Sequence, residues 1–230
     1  MIFFDIDGTL IDHKKAELLG VYGFYHEYIK CFKLNEDMFY KAWCNISDRH
    51  FLRFLKGELT FENQRTERIK DVFALSGIKL SGDEAKEKFK TYRRIYEENL
   101  LPYEDVVPAL NMLKGHKLGI ITNGDLKQQT FKLERIEGGE VFRPIITAGE
   151  VGVSKPHKEI FEIACERAKV NIKDCIYVGD DYETDIISCT KAGMEGIWIN
   201  RKREHKENSI GKMIFDLSML NSLLKKVVNQ

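Results

Sequence analysis

Two aspartates, Asp5 and Asp7, follow the apolar run Ile2-Phe3-Phe4 and precede Gly8-Thr9. Charge at the end of a buried strand costs stability unless a cation or a partner takes it up. Residues two apart near a strand end face the same side. One carboxylate can therefore attack while the other moves a proton. An aspartate at its ordinary pKa of about 3.9 is ionised at neutral pH and available as a nucleophile. Three later stretches carry matching chemistry: Thr122-Asn123-Gly124, Ser154-Lys155-Pro156, and Gly179-Asp180-Asp181 with Asp185 one helical turn on. A phosphoryl group needs hydrogen-bond donors on its non-bridging oxygens and positive charge beside them. Thr122 and Asn123 supply donors, and Lys155 supplies a point charge. Several carboxylates in one cleft repel unless a divalent ion joins them, and hard oxygen ligands that leave room for water favour Mg2+. Each stretch also has a plainer reading. Acids before Gly make a turn, Asn-Gly is a turn signal, Ser-Lys-Pro starts a helix, and Asp180 and Asp181 suit a helix N-terminus. The joint pattern is what favours a site.

Bringing these stretches together requires a particular scaffold. Residues 2–5 read as a fully buried strand. From Lys117 onward, strands at 117–121, 144–147, 175–178 and 196–199 alternate with helices at 105–114, 126–136, 157–169, 183–192 and 217–227. That alternation predicts an α/β fold with a doubly wound parallel sheet covered on both faces. Ligands bind outside the carboxyl ends of such strands, and each of the four stretches comes after a strand. Between the first strand and the rest, residues 14–98 contain no good strand and about four helices. Leu18, Tyr22, Tyr25, Ile29 and Phe32 recur at helical spacing, Asn35 and Thr60 can cap the next two helices, and Ser81 with Glu84 fits a capping box. The expected layout is a core of 1–13 and 99–230 with an all-helical insertion at 14–98.

The 230 residues are 43% hydrophobic and 31% charged, enough for a real core, with a formal net charge of zero. Neutral charge argues against a nucleic-acid polymer as partner. The basic run Arg201-Lys-Arg-Glu-His-Lys206 is expected to be a solvated loop. No apolar run approaches the roughly 18 residues of a membrane span, and no basic-then-apolar leader opens the chain. Five scattered cysteines without a CxxC suit a reduced, cytoplasmic protein.

Taken in order, Asp5-Ile-Asp-Gly-Thr-Leu10, Thr122-Asn-Gly124, Ser154-Lys-Pro156 and Gly179-Asp-Asp…Asp185 resemble the four motifs of the haloacid dehalogenase superfamily, in its phosphatase branch. The resemblance implies a Rossmann-like core with a C1-type helical cap at 14–98. It implies Asp5 as nucleophile and metal ligand, and Asp7 as general acid/base with its backbone carbonyl on the metal. Thr122 with Asn123 and Lys155 would bind phosphate, with Lys155 also holding the nucleophile. Asp180 would ligate Mg2+ and Asp185 would act behind it; Asp181, where relatives often carry Ser, competes with Asp180. The implied substrate is a small phosphorylated molecule. Asp7 argues against a dehalogenase, which lacks the second acid. A phosphomutase, and a phospho-accepting receiver or scaffold without turnover, stay open. Gly119–Gly124, Lys132–Arg135 and Gly149–Pro156 look most like nucleotide 5′-phosphatases and acylneuraminate-9-phosphatases.

Overall fold

The short strand β1 (Ile2–Phe4) is buried at all three positions, as its Ile-Phe-Phe sequence requires. The computed structural model describes residues 1–207 and 210–228. After β1 the chain leaves for a helical unit, residues 13–100, and returns to complete a second unit made of residues 1–12 and 101–230.

The helical unit contains α1 (His13–Glu27), α2 (Glu36–Leu55), α3 (Phe61–Ala74) and α4 (Gly82–Glu98). Their starts obey capping chemistry. Asn35, Thr60 and Ser81 each accept a hydrogen bond from a first-turn amide, and Ser81 with Glu84 closes a reciprocal capping box. Gly77, at φ +80°, lies just past the end of α3. The buried face of α1 differs from the expected one. Ala16, Gly20, Val21, Phe24 and Tyr25 face inward, while Ile29 is 46% exposed and lies beyond the helix. The reason is close packing of α1 on α4. Gly20 lies against Tyr92 and Tyr96, and Gly23 against Ile95, so small residues select the face. Trp43, fully buried, packs on Phe24, Phe39 and Tyr92 and anchors an aromatic core.

The other unit is built on a six-stranded parallel sheet. Its strands are β1, β2 (Leu118–Thr122), β3 (Phe142–Thr147), β4 (Ile176–Gly179), β5 (Glu195–Ile199) and β6 (Lys212–Ile214), in the order β3-β2-β1-β4-β5-β6. The helices are α5 (Val106–Met112), α6 (Leu126–Leu133), α7 (Ala148–Val151), α8 (Glu159–Ala168), α9 (Ser188–Ala192) and α10 (Leu220–Val228). β6 and α7 were not anticipated. β6 is three residues long, too short to show a period. The helix expected at 183–192 is split into a π-helical turn (Tyr182–Ile187) and α9, and the last helix opens with a 3-10 turn at Leu217–Met219. Every residue of β2 is buried, the signature of a parallel strand covered on both faces.

Residues 202–205 of the basic run are exposed, as a solvated loop requires, but Arg201 departs from that reading. Its guanidinium sits over the Tyr103 ring, grips both oxygens of Asp105 at 3.0 and 3.1 Å, and donates to the Thr9 carbonyl at 2.7 Å. The loop after β1 is thereby pinned to the segment that re-enters the sheet unit. That segment also pairs directly with it, through Asp12 N to Leu101 O and Tyr103 N to Leu10 O. Among the described residues no helix is long and apolar enough to cross a membrane.

Candidate active site

β1 lies between β2 and β4, so the chain segments that leave these three strands emerge side by side. Asp5 still pairs as a strand residue, its N–H donating to Val178 O. Two residues on, the chain turns. The amides of Leu10 and Ile11 return to Ile6 O, and Gly8 adopts φ +84°, a conformation that costs an L side chain about 1–2 kcal/mol. A Cβ on Gly8 would also collide with the Asp180 carboxylate. Gly179 serves the same purpose for Asp185, whose carboxylate occupies the space a side chain there would fill.

Lys155 is the hub. Its ammonium is buried and donates to Asp5 Oδ1 at 2.8 Å, Asp185 Oδ1 at 2.6 Å and Tyr177 Oη at 2.9 Å. Tyr177 Oη donates in turn to the Ile121 carbonyl at 2.8 Å. Burial alone pulls the ammonium down, but the carboxylates of Asp185 and Asp5 outweigh it and hold it above its ordinary range. Asn123 aligns Lys155 through the main chain, accepting from Lys155 N at 2.7 Å and donating to Lys155 O at 3.0 Å. Its side-chain amide is committed there. Thr122 Oγ1, nearly fully buried, accepts from Gln129 Nε2 at 3.0 Å, leaving its own O–H to donate elsewhere.

Asp5, Asp180 and Asp185 each bring one carboxylate oxygen within 4.8 Å of the others. Asp5 Oδ2 and the Asp180 carboxylate accept no hydrogen bond among the described residues. Burial, with Asp185 and Asp7 nearby, pushes Asp5 up to about 7 despite Lys155. Burial, then Asp5 and Asp185, pushes Asp180 up to about 8. Three carboxylates thus face one ammonium. An all-oxygen donor set with excess negative charge fits a hard divalent cation such as Mg2+. Asp181 is outside this group. Its Oδ1 caps the π-helical turn by accepting from Thr184 N at 2.7 Å.

Asp7 points elsewhere. Lys132 Nζ donates to both its oxygens at 2.6 and 2.7 Å, and Gln129 Nε2 to one at 3.1 Å. The sequence reading missed Lys132, Gln129 and Tyr177 as site residues. Tyr177 is indistinguishable from core inside a buried strand. Gln129 and Lys132 did carry a signal, being polar residues three apart on the helix after Thr122.

A family model described as hydrolase, haloacid dehalogenase-like hydrolase, matches residues 1–193. The chain is 38% identical over 104 residues to a glyceraldehyde 3-phosphate phosphatase of Methanopyrus kandleri, a match of 44% of this chain and 45% of that protein. It spans, therefore, less than half the length of that relative. It is 30% identical over 211 residues to the N-acylneuraminate-9-phosphatase of Rattus norvegicus, covering 87% of this chain and 82% of that protein. The crystal structure of YfnB from Bacillus subtilis, bound to magnesium, shares the fold with a TM-score of 0.78 at 24% identity over 97% of each chain. The family match runs from β1 through α9 and takes in all four strand-end stretches, so the chain belongs to the haloacid dehalogenase-like hydrolases.

Proposed function

We propose that the chain is an Mg2+-dependent phosphomonoester hydrolase that works through an aspartyl-phosphate on Asp5. The observation that carries this reading is the division of labour at Asp5. Lys155 occupies Oδ1, and Oδ2 has no hydrogen-bond partner among the described residues. A nucleophile needs one oxygen fixed and the other open. Oδ2 attacks phosphorus, the ester oxygen departs, and Asp7 supplies its proton. Asp7 then takes a proton from the water that displaces phosphate from Asp5. Thr122 donates to the phosphoryl oxygens, and Lys155 steadies the nucleophile while offsetting charge. Asn123 contributes by fixing Lys155 in place. Asp5, Asp180 and the Asp7 carbonyl, with Asp185 behind them, would hold Mg2+, which would supply positive charge against the phosphate.

The substrate we favour is a small soluble phosphate ester, a sugar phosphate or nucleoside 5′-monophosphate, with the helical unit acting as a cap. The names of the two relatives support a small phosphorylated substrate. The test is a phosphate-release screen over sugar phosphates, nucleotides and phosphoglycolate, with and without Mg2+, using Asp5→Asn as the blank. Release that needs Mg2+ and vanishes in Asp5→Asn is expected. Turnover by Asp5→Asn near the wild-type rate would remove Asp5 as nucleophile.

A further inference from the structure

Asp7 is held by a clamp that no step above uses. Lys132 donates twice to its carboxylate and Gln129 once. Both donors come from α6, whose start is set by Asp125 accepting from Gln128 N. Residues three apart share a helix face, so Gln129 and Lys132 present side by side. Lys132 is 2% exposed. Burying an ammonium is costly unless a carboxylate and further hydrogen bonds compensate it, and Asp7 is the carboxylate that does so.

Gln129 shows the clamp more sharply. Its Nε2 donates both to Asp7 Oδ2 and to Thr122 Oγ1, while its Oε1 is buried without a partner among the described residues. Leaving a buried acceptor unmet is costly. Turning the amide over would set Oε1 against the Asp7 carboxylate, so the orientation that leaves Oε1 unmet is the one that grips Asp7. Gly124 makes room for it, since a Cβ there would run into the Gln129 side chain.

We propose that Lys132 and Gln129 are positioning residues, which fix the plane of the Asp7 carboxylate and its spacing from the phosphate-binding hydroxyl of Thr122. The inference rests on Asp7 being the acid/base of the reaction proposed above. Neither residue needs to touch substrate. One amide ties the group that moves the proton to the group that holds the phosphoryl oxygens.

Leaving-group dependence separates this role from a structural one. A poor leaving group, such as the alkoxide of β-glycerophosphate, needs the proton that Asp7 delivers; p-nitrophenolate hardly needs it. In Lys132→Met, kcat for β-glycerophosphate should fall by about 10²–10⁴, the range of a lost general acid. For p-nitrophenyl phosphate the first turnover, read as a rapid-mixing burst of p-nitrophenolate, should slow less than about tenfold, and only the later hydrolysis of the aspartyl-phosphate, which also calls on Asp7, should limit kcat. Lys132→Arg should recover part of the loss. Gln129→Glu, equal in size, should show the same asymmetry and keeps the test open if Lys132→Met does not fold. Equal slowing of the phosphorylation step with both substrates in a folded variant would overturn the inference while leaving the hydrolase reading intact. Wild-type release no greater than that of Asp5→Asn would overturn both.

Discussion

Stripping divalent cations should make the sheet unit less stable as pH rises through neutrality. In the folded protein the carboxyls of Asp5 and Asp180 sit at about 7 and about 8, against an ordinary 3.8. Between these limits the native state keeps protons that the unfolded chain has released, so unfolding is favoured as pH increases. The effect begins above the unfolded value near pH 4 and is complete above the folded values. Each pH unit inside that window costs about 1.4 kcal/mol per group. From about pH 5 to pH 7, Asp180 alone therefore removes about 3 kcal/mol, and Asp5 adds to the lower part of the range. At 2–4 °C per kcal/mol for a chain of this size, the midpoint should drop by about 6–12 °C. The assay is thermal unfolding by circular dichroism after EDTA treatment, across this pH range, with and without excess MgCl2. The proposed cation would take the place of the protons on Asp5 and Asp180, so its stabilising effect should grow with pH. Asp180→Asn should flatten the metal-free slope and, at pH 8, melt above the metal-free wild type. A wild-type midpoint that is flat or rising over this range, with a pH-independent Mg2+ effect, would refute the reasoning.

Three other perturbations probe separate parts of the molecule. Gly179→Ala puts a methyl where the Asp185 carboxylate lies; it should cost about 1–3 kcal/mol by overpacking and weaken Mg2+ binding at least tenfold by calorimetry, and unchanged affinity would mean Asp185 has no part in the site. Asp105→Ala strips Arg201 of its bidentate partner and Leu217 N of its acceptor. A loss of about 3 kcal/mol is expected in urea unfolding, and a loss below about 1 kcal/mol would make the contact a surface pair in effect. Trp43→Ala should destabilise the helical unit by about 3–5 kcal/mol, read as faster hydrogen exchange in α1–α4 while β1, β2 and β4 keep their protection; equal loss in both units would show that they unfold together.

The sheet and the four strand-end stretches were legible because a parallel strand buried on both faces is a short apolar run, and a polar residue directly after it stands there for a reason. Asp5, Thr122 and Asp180 each mark such a break. The caps Asn35, Thr60 and Ser81 were legible because their chemistry is local. The residues that escaped depend on neighbours far away in the chain. Lys132 looks like any polar helix residue until Asp7, 125 positions earlier, is placed beside it. Tyr177 is a core aromatic by composition and a hydrogen-bond relay only once Lys155 arrives. The face of α1 was misread because its contact with α4 is set by Gly20 and Gly23, which carry no hydrophobic signal.

The central place of β1 in the sheet has a consequence for the growing chain. Its partners begin at Leu118 and Ile176, whereas α1–α4 find their contacts among residues 13–100. Non-local pairing is slow because loop closure must come first. At about 5–20 residues per second on the ribosome, Ile2-Phe3-Phe4 waits on the order of ten seconds or more for β4. An apolar run left unpaired that long invites aggregation, and flanking charges are the usual protection. Asp5 and Asp7 stand directly beside it, the placement in which charge opposes association of an unpaired apolar strand.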